Sequence, residues 1–132
     1  MGRAVLDSFA VLALVFGEKG HEKVVAVLEK AARSGESLLL ASPNWAEVRY
    51  MIERKAGATR WPEVRGKLAA LPVKVVAVDQ DLAEKAGAIK AQHKLSLADA
   101  FAAALAIAND ADIYTGDPEF KSVEKLVRVV WL

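Results

Sequence analysis

Apolar and polar positions along this chain alternate between two periods. Ala4–Leu6, Leu38–Ala41, Val73–Val78, Ile113–Thr115 and Leu126–Trp131 are short apolar runs of strand length. Between them, apolar residues recur at helical spacing. Phe9, Leu12, Ala13 and Phe16 mark a first helix broken by Gly17 and Gly20, and Val24, Val27, Leu28 and Ala31 mark a second that closes near Ser34-Gly35. Ser42-Pro43 suggests an N-cap and first-turn proline for a helix carrying Trp45, Val48 and Ile52 and ending near Gly57. A shorter helix is expected over Trp61–Ala70, and another through Leu82, Ala86 and Ile89. Ser96-Leu97-Ala98-Asp99 has the capping-box pattern, and Leu97, Phe101, Leu105 and Ala108 follow as the expected buried stripe. By the same spacing Phe9, Phe16, Phe101 and Trp45 belong to the core. Strands alternating with helices predict a three-layer α/β/α fold with a mainly parallel sheet of about five strands, one domain over residues 1–132.

Composition narrows the function. Hydrophobic residues are 54% and charged residues 27% of the chain, enough for a packed core and too apolar for disorder. Lys and Arg total 18 against 17 Asp and Glu, a formal charge of +1, so bulk basicity cannot drive nucleic-acid binding. The absence of cysteine excludes disulfides, thiolate zinc sites and thiol nucleophiles. His21 and His93 are the only histidines. The longest uncharged runs, such as Ser8–Gly17 and Ser37–Ala46, are too short to cross a bilayer, and the first apolar stretch between Arg3 and Asp7 does not read as a secretory signal. A cytoplasmic protein with no membrane partner is expected.

No glycine-rich phosphate loop and no Gly-x-Ser-x-Gly elbow occurs, and His21-Glu22 lacks a second zinc-binding histidine because Val25 occupies that position. The carboxylates say more. Asp7 ends the first strand, Asp117 follows Ile113–Thr115, Glu47 lies one turn into the helix after Leu38–Ala41, and Asp99 lies in the first turn of the helix before Ile113–Thr115. Ligands of open α/β sheets bind beyond the carboxyl ends of the strands, where the winding reverses. All four acids can therefore face one crevice. Each also has an ordinary use: Asp7 as an N-cap, Asp99 as the reciprocal half of the Ser96 box, Asp117 in a turn before Pro118, and Glu47 as a solvated side chain.

Taken together, Val5-Leu6-Asp7-Ser8, Ala46-Glu47-Val48, Leu95-Ser96-Leu97-Ala98-Asp99-Ala100 and Thr115-Gly116-Asp117-Pro118-Glu119-Phe120 resemble the PIN-domain nucleases, most closely the VapC-type toxins of toxin–antitoxin pairs. The resemblance covers essentially the whole chain. It implies a metal-dependent endoribonuclease, a homodimer, and inhibition by a cognate antitoxin inserted into the active-site groove. Asp7, Glu47, Asp99 and Asp117 match the family's acidic site, with Ser8 and Thr115 at its auxiliary polar positions.

The donor chemistry agrees with that match. Converging carboxylates repel one another unless cations intervene, and oxygen-only donors select a hard divalent ion, Mg²⁺ or Mn²⁺. Such an ion acidifies water and offsets charge on a phosphate undergoing hydrolysis. Asp7, Asp99 and Asp117 are expected as principal ligands, Glu47 as holder of a water or a second ion, and Ser8 and Thr115 as orienting groups. The stretch from Arg49 to Lys67 carries Arg49, Arg54, Lys55, Arg60, Arg65 and Lys67 against only Glu53 and Glu63, and reads as a solvated helical face, an RNA phosphate contact or a partner docking surface. Trp61 within it suits packing better than base stacking. Two other readings remain open from sequence: a PIN-type nuclease that processes RNA without being a toxin, and a receiver-like module with Asp79 as phosphate acceptor. The second lacks the expected acidic pair after the first strand, and Asp79 and Asp81 suit the start of the next helix.

Overall fold

A computed structural model describes residues 3–132. Five strands, β1 (Ala4–Leu6), β2 (Leu38–Ala41), β3 (Val73–Val76), β4 (Asp112–Thr115) and β5 (Val129–Trp131), form one sheet in the order β3-β2-β1-β4-β5. Every pairing is parallel. Six α-helices connect them: α1 (Ser8–Phe16), α2 (His21–Ser34), α3 (Ser42–Ala56), α4 (Trp61–Ala69), α5 (Gln80–Gln92) and α6 (Leu97–Ala108). The chain steps from β1 outward to β2 and β3, then returns to the other side of β1 for β4 and β5. The winding reverses between β1 and β4, so the crevice of an open α/β sheet opens at their carboxyl ends.

Alternation along the strands feeds two cores. Leu6, Leu38 and Leu40 pack with Ala10, Val24, Leu28, Val48, Ile52 and Trp61 on one face. Val5, Leu39 and Ile113 pack with Ala86, Leu105 and Phe120 on the other. The α/β/α layering expected from sequence is therefore present, and the buried stripe of α2 is Val24, Val27, Leu28 and Ala31 as its period predicts.

Several boundaries differ from the sequence reading. Strand β3 stops at Val76 instead of Val78, because its only partner, β2, ends at Ala41, which pairs with Val76. It is an edge strand, with Val75 40% exposed. The last strand begins at Val129 instead of Leu126, in register with Ile113, after a 3₁₀ helix over Pro118–Val123 and a turn. Ser42 is not a cap: β2 runs straight into α3, Ala41 takes the N-cap position and no side chain caps that end, although Pro43 does sit in the first turn.

The largest difference lies in α6. Leu97 is 53% exposed, Ala108 is exposed and Phe101 is half-buried, whereas Ala100, Ala102, Ala103, Ala104, Leu105 and Ala106 are buried. This helix packs against the sheet and also against α3 and α5. Alanines let its backbone approach all of them, so burial wraps around the helix instead of following one stripe. Phe9 is likewise not core but 42% exposed, its ring lying over Gly116 where no side chain would fit. Trp45 and Phe16 are half-buried against the α1/α2 core.

Candidate active site

Asp7 follows β1 and is fully buried. One carboxylate oxygen caps α1 by accepting from the Ala10 amide at 2.9 Å. The other accepts from the Thr115 hydroxyl, reached because Leu6 and Tyr114 pair in register one residue earlier. Thr115 Oγ1 in turn accepts the Asp117 amide at 3.0 Å. A polar relay thus ties the carboxyl end of β1 to the turn after β4. Asp117 then closes that turn by accepting the Glu119 amide at 2.9 Å.

On the facing side, Ser96 caps α6 by accepting the Asp99 amide at 3.2 Å. Its own amide is not bonded to Asp99, as a local capping box requires, but to the Glu119 carboxylate at 3.0 Å. The reciprocal role read from sequence for Asp99 therefore belongs to Glu119. Asp99 is only 4% exposed, and its Oδ2 is buried without a hydrogen-bond partner. From α3, Glu47 accepts hydrogen bonds from Ser8 and from Tyr50, the latter at 3.2 Å. Asn44 on the same helix donates to the Ala98 carbonyl at 3.3 Å, fastening α3 to the first turn of α6.

Ser8, Phe9, Leu12, Glu47, Met51, Ser96, Asp99, Asp117 and Glu119 line a crevice of about 440 Å³. Carboxylate oxygens of Asp99, Asp117 and Glu119 all lie within 4.8 Å of one another, a spacing that fits a single cation. Asp7 sits behind them, out of the lining but near enough for its charge to be felt by Asp99. Burial pushes the Asp7 carboxyl up to about 7, against the lowering effect of the Thr115 and Ala10 hydrogen bonds and with a further rise from the charges of Asp117 and Glu47. Burial likewise raises Asp99, to about 8, reinforced by the adjacent Glu119 carboxylate and the charges of Asp117 and Asp7. One acid in the crevice and one behind it, both held above their ordinary value, form an electrostatically strained site that a cation would relieve.

Among the described residues the buried polar side chains are Asp7, Ser8, Asn44, Asp99 and Thr115, and all five belong to this assembly. Burying polar groups is costly, and the rest of the interior avoids it. The chain matches the PIN domain family model over residues 4–126. The chain belongs to the PIN domain family.

Solved structures share this PIN fold. A DNA-bound VapBC from Salmonella typhimurium is 18% identical, with a TM-score of 0.77 over 98% of both chains. VapBC2 from Rickettsia felis, bound to a promoter DNA fragment, is 15% identical with a TM-score of 0.75 over 96% of both chains. VapC20 of Mycobacterium tuberculosis, a toxin that cleaves the sarcin–ricin loop, is 18% identical with a TM-score of 0.69 over 91% of this chain and 94% of that one. At these identities the shared property is the fold. No curated protein sequence matches the chain.

The PIN architecture explains which candidate positions meet. Asp99, Asp117 and Glu47 line the crevice, Asp7 backs it, and Ser8 and Thr115 hydrogen-bond to Glu47 and Asp7. The three arginines are elsewhere: Arg49 pairs with Glu53 at 2.6 Å and lies over Trp61, Arg60 is 3.6 Å from Glu63, and Arg54 stacks over Tyr50. Only Arg54 connects toward the crevice, through Tyr50 and Glu47. Trp61 is buried against Trp45 and takes no part. Asp79 caps α5 by accepting from Leu82 at 2.8 Å beyond the edge strand β3, away from the acids, which removes the basis for a receiver-like acceptor. No helix among the described residues is long and apolar enough to cross a membrane. Sequence reasoning missed Glu119 and Asn44. Glu119 carried a faint signal as a second acid two residues after Asp117; Asn44 carried none.

The donor set fits a hard divalent cation. It is all oxygen, it is anionic, and the buried Asp99 Oδ2 has lone pairs that no protein donor uses.

Proposed function

We propose that this chain is a metal-dependent endoribonuclease and the toxin of a toxin–antitoxin pair. The observation that carries the reading is the unpartnered, buried Asp99 oxygen facing Asp117 at the β1/β4 switch point, in a PIN fold. Asp99 and Asp117 hold an Mg²⁺ or Mn²⁺ ion, with Asp7 contributing charge from behind them. When bound, the ion supplies an acidified water and offsets charge on the scissile phosphate. Thr115 holds the Asp7 carboxylate in place behind the crevice through its hydroxyl and restrains Asp117 by accepting its backbone amide. Ser8 and Tyr50 fix the rotamer of Glu47, so that it orients water or a second ion. Arg54 and, further out, Arg49 and Arg60 contact the RNA backbone or a protein partner. The neighbours of the fold in toxin–antitoxin complexes support a cognate antitoxin as that partner. The family resemblance supports a homodimer acting in the cytoplasm.

A cleavage assay on purified chain tests the reading. Structured RNA is cut with Mg²⁺ or Mn²⁺ and spared with chelator. Asp117→Asn lowers the rate by at least about a hundredfold, the scale on which removing a charge-stabilising group acts. Asp79→Asn leaves it intact. Cleavage that persists in chelator, or that Asp79→Asn abolishes, contradicts the assignment.

A further inference from the structure

Glu119 joins two segments that carry different acids. Its backbone amide is held by Asp117 at 2.9 Å, inside the turn after β4, and its carboxylate accepts the Ser96 amide at 3.0 Å, at the amino end of α6. Twenty-three positions separate Ser96 from Glu119, so this contact is tertiary, although it does the work of a local capping box. In the local version the residue three positions after the cap reaches back to that same amide. Here that residue is Asp99, one methylene shorter than the glutamate the motif favours. With the Ser96 amide occupied from outside, Asp99 does not turn back to it, and its Oδ2 stays buried and unpartnered, its carboxyl set against those of Asp117 and Glu119.

We propose that Glu119 is a positioning residue: by capping α6 from the β4 turn, it keeps Asp99 off its own helix end and fixes the Asp99–Asp117 spacing needed for the cation. The proposal rests on the metal-dependent reading above and names a role for a residue outside the four matched acids. Its chemistry separates a cap from a ligand. A cap needs only an acceptor oxygen at that place, which glutamine supplies; a charged ligand needs the carboxylate. Loss of the cap also leaves a local substitute, since Asp99 can swing back to the Ser96 amide. Glu119→Ala should therefore scarcely destabilise the metal-free protein while spoiling the cation site.

The test is Mn²⁺ affinity, read by electron paramagnetic resonance of the free ion, for wild type, Glu119→Ala and Glu119→Gln, with melting of each protein in chelator and cleavage beside it. The expected result is a loss of Mn²⁺ affinity of about ten- to a hundredfold in Glu119→Ala, the usual effect of removing a group that orients ligands. Glu119→Gln restores most of it, and in chelator neither variant melts below wild type. Two outcomes overturn the proposal: Glu119→Gln as deficient as Glu119→Ala, which makes the carboxylate a ligand, or Glu119→Ala binding Mn²⁺ like wild type. Wild type that binds Mn²⁺ without cutting RNA sinks the ribonuclease reading and leaves the role of Glu119 standing. Wild type that fails to bind Mn²⁺ overturns both.

Discussion

Asp99→Asn should raise the melting temperature of the metal-free protein and abolish its response to Mg²⁺ or Mn²⁺. The carboxyl is buried, and the fold holds it near about 8 because its charged form is desolvated beside Glu119, Asp117 and Asp7. At neutral pH the folded protein must either keep it protonated or bear the cost of its charge, whereas the unfolded chain ionises it freely. Asparagine removes that cost and offers an N–H₂ to the neighbouring carboxylates. The helix cap survives, because Ser96 accepts from the backbone amide of residue 99 and Glu119 accepts from Ser96. Each pKa unit is worth about 1.4 kcal/mol, so even part of the shift corresponds to a gain on the order of 1–3 kcal/mol. For a chain of this size that is about 3–10 °C in melting temperature. Wild type should gain further from metal, about 2.7 kcal/mol at a hundredfold excess over Kd, while the variant gains nothing. Thermal unfolding of both proteins with chelator and with ion decides the matter. A variant that melts lower and still responds to metal would show that Asp99 serves only the helix end.

The second large effect is a pH dependence of unusual direction. Asp7 and Asp99 are held near about 7 and about 8 in the folded chain, against an ordinary value of 3.8. Between roughly pH 4 and those values the native state binds more protons than the unfolded state, so its stability falls as pH rises. The contribution is complete below about pH 4 and gone above about pH 8. In chelator, then, the melting temperature should drop steadily from pH 5 to pH 8, where many proteins have a plateau. Saturating Mg²⁺ should remove most of the slope, because the ion binds the deprotonated carboxylates and releases their protons. Melting in chelator that is flat or rises over that range contradicts a site built on desolvated acids.

The layered fold was readable because its signals are local. The runs Ala4–Leu6 and Leu38–Ala41 are strands at those bounds, and α2 buries the four residues its period selects. What escaped the sequence depends on neighbours. Strand β3 is shortened by the length of β2, and α6 is buried through its alanines because helices and sheet surround it. An alanine-rich helix carries no stripe from which that could be read. The same division runs through the site. Asp7, Glu47, Asp99 and Asp117 could be singled out because each stands near a strand end or a helix start. The Ser96–Glu119 bond and the Asn44–Ala98 bond join segments distant in sequence, so no spacing announces them. The Ser-x-x-Asp pattern even pointed to the wrong partner for Ser96, because Glu119 occupies the amide that Asp99 would have taken.

Whether these acids hold a divalent cation is decided by a crystal of the protein soaked in Mn²⁺. An anomalous peak is expected in the crevice, about 2.0–2.3 Å from carboxylate oxygens of Asp99 and Asp117, a hard-cation distance. Anomalous density absent from that crevice at saturating Mn²⁺, or confined to other carboxylates, would contradict it.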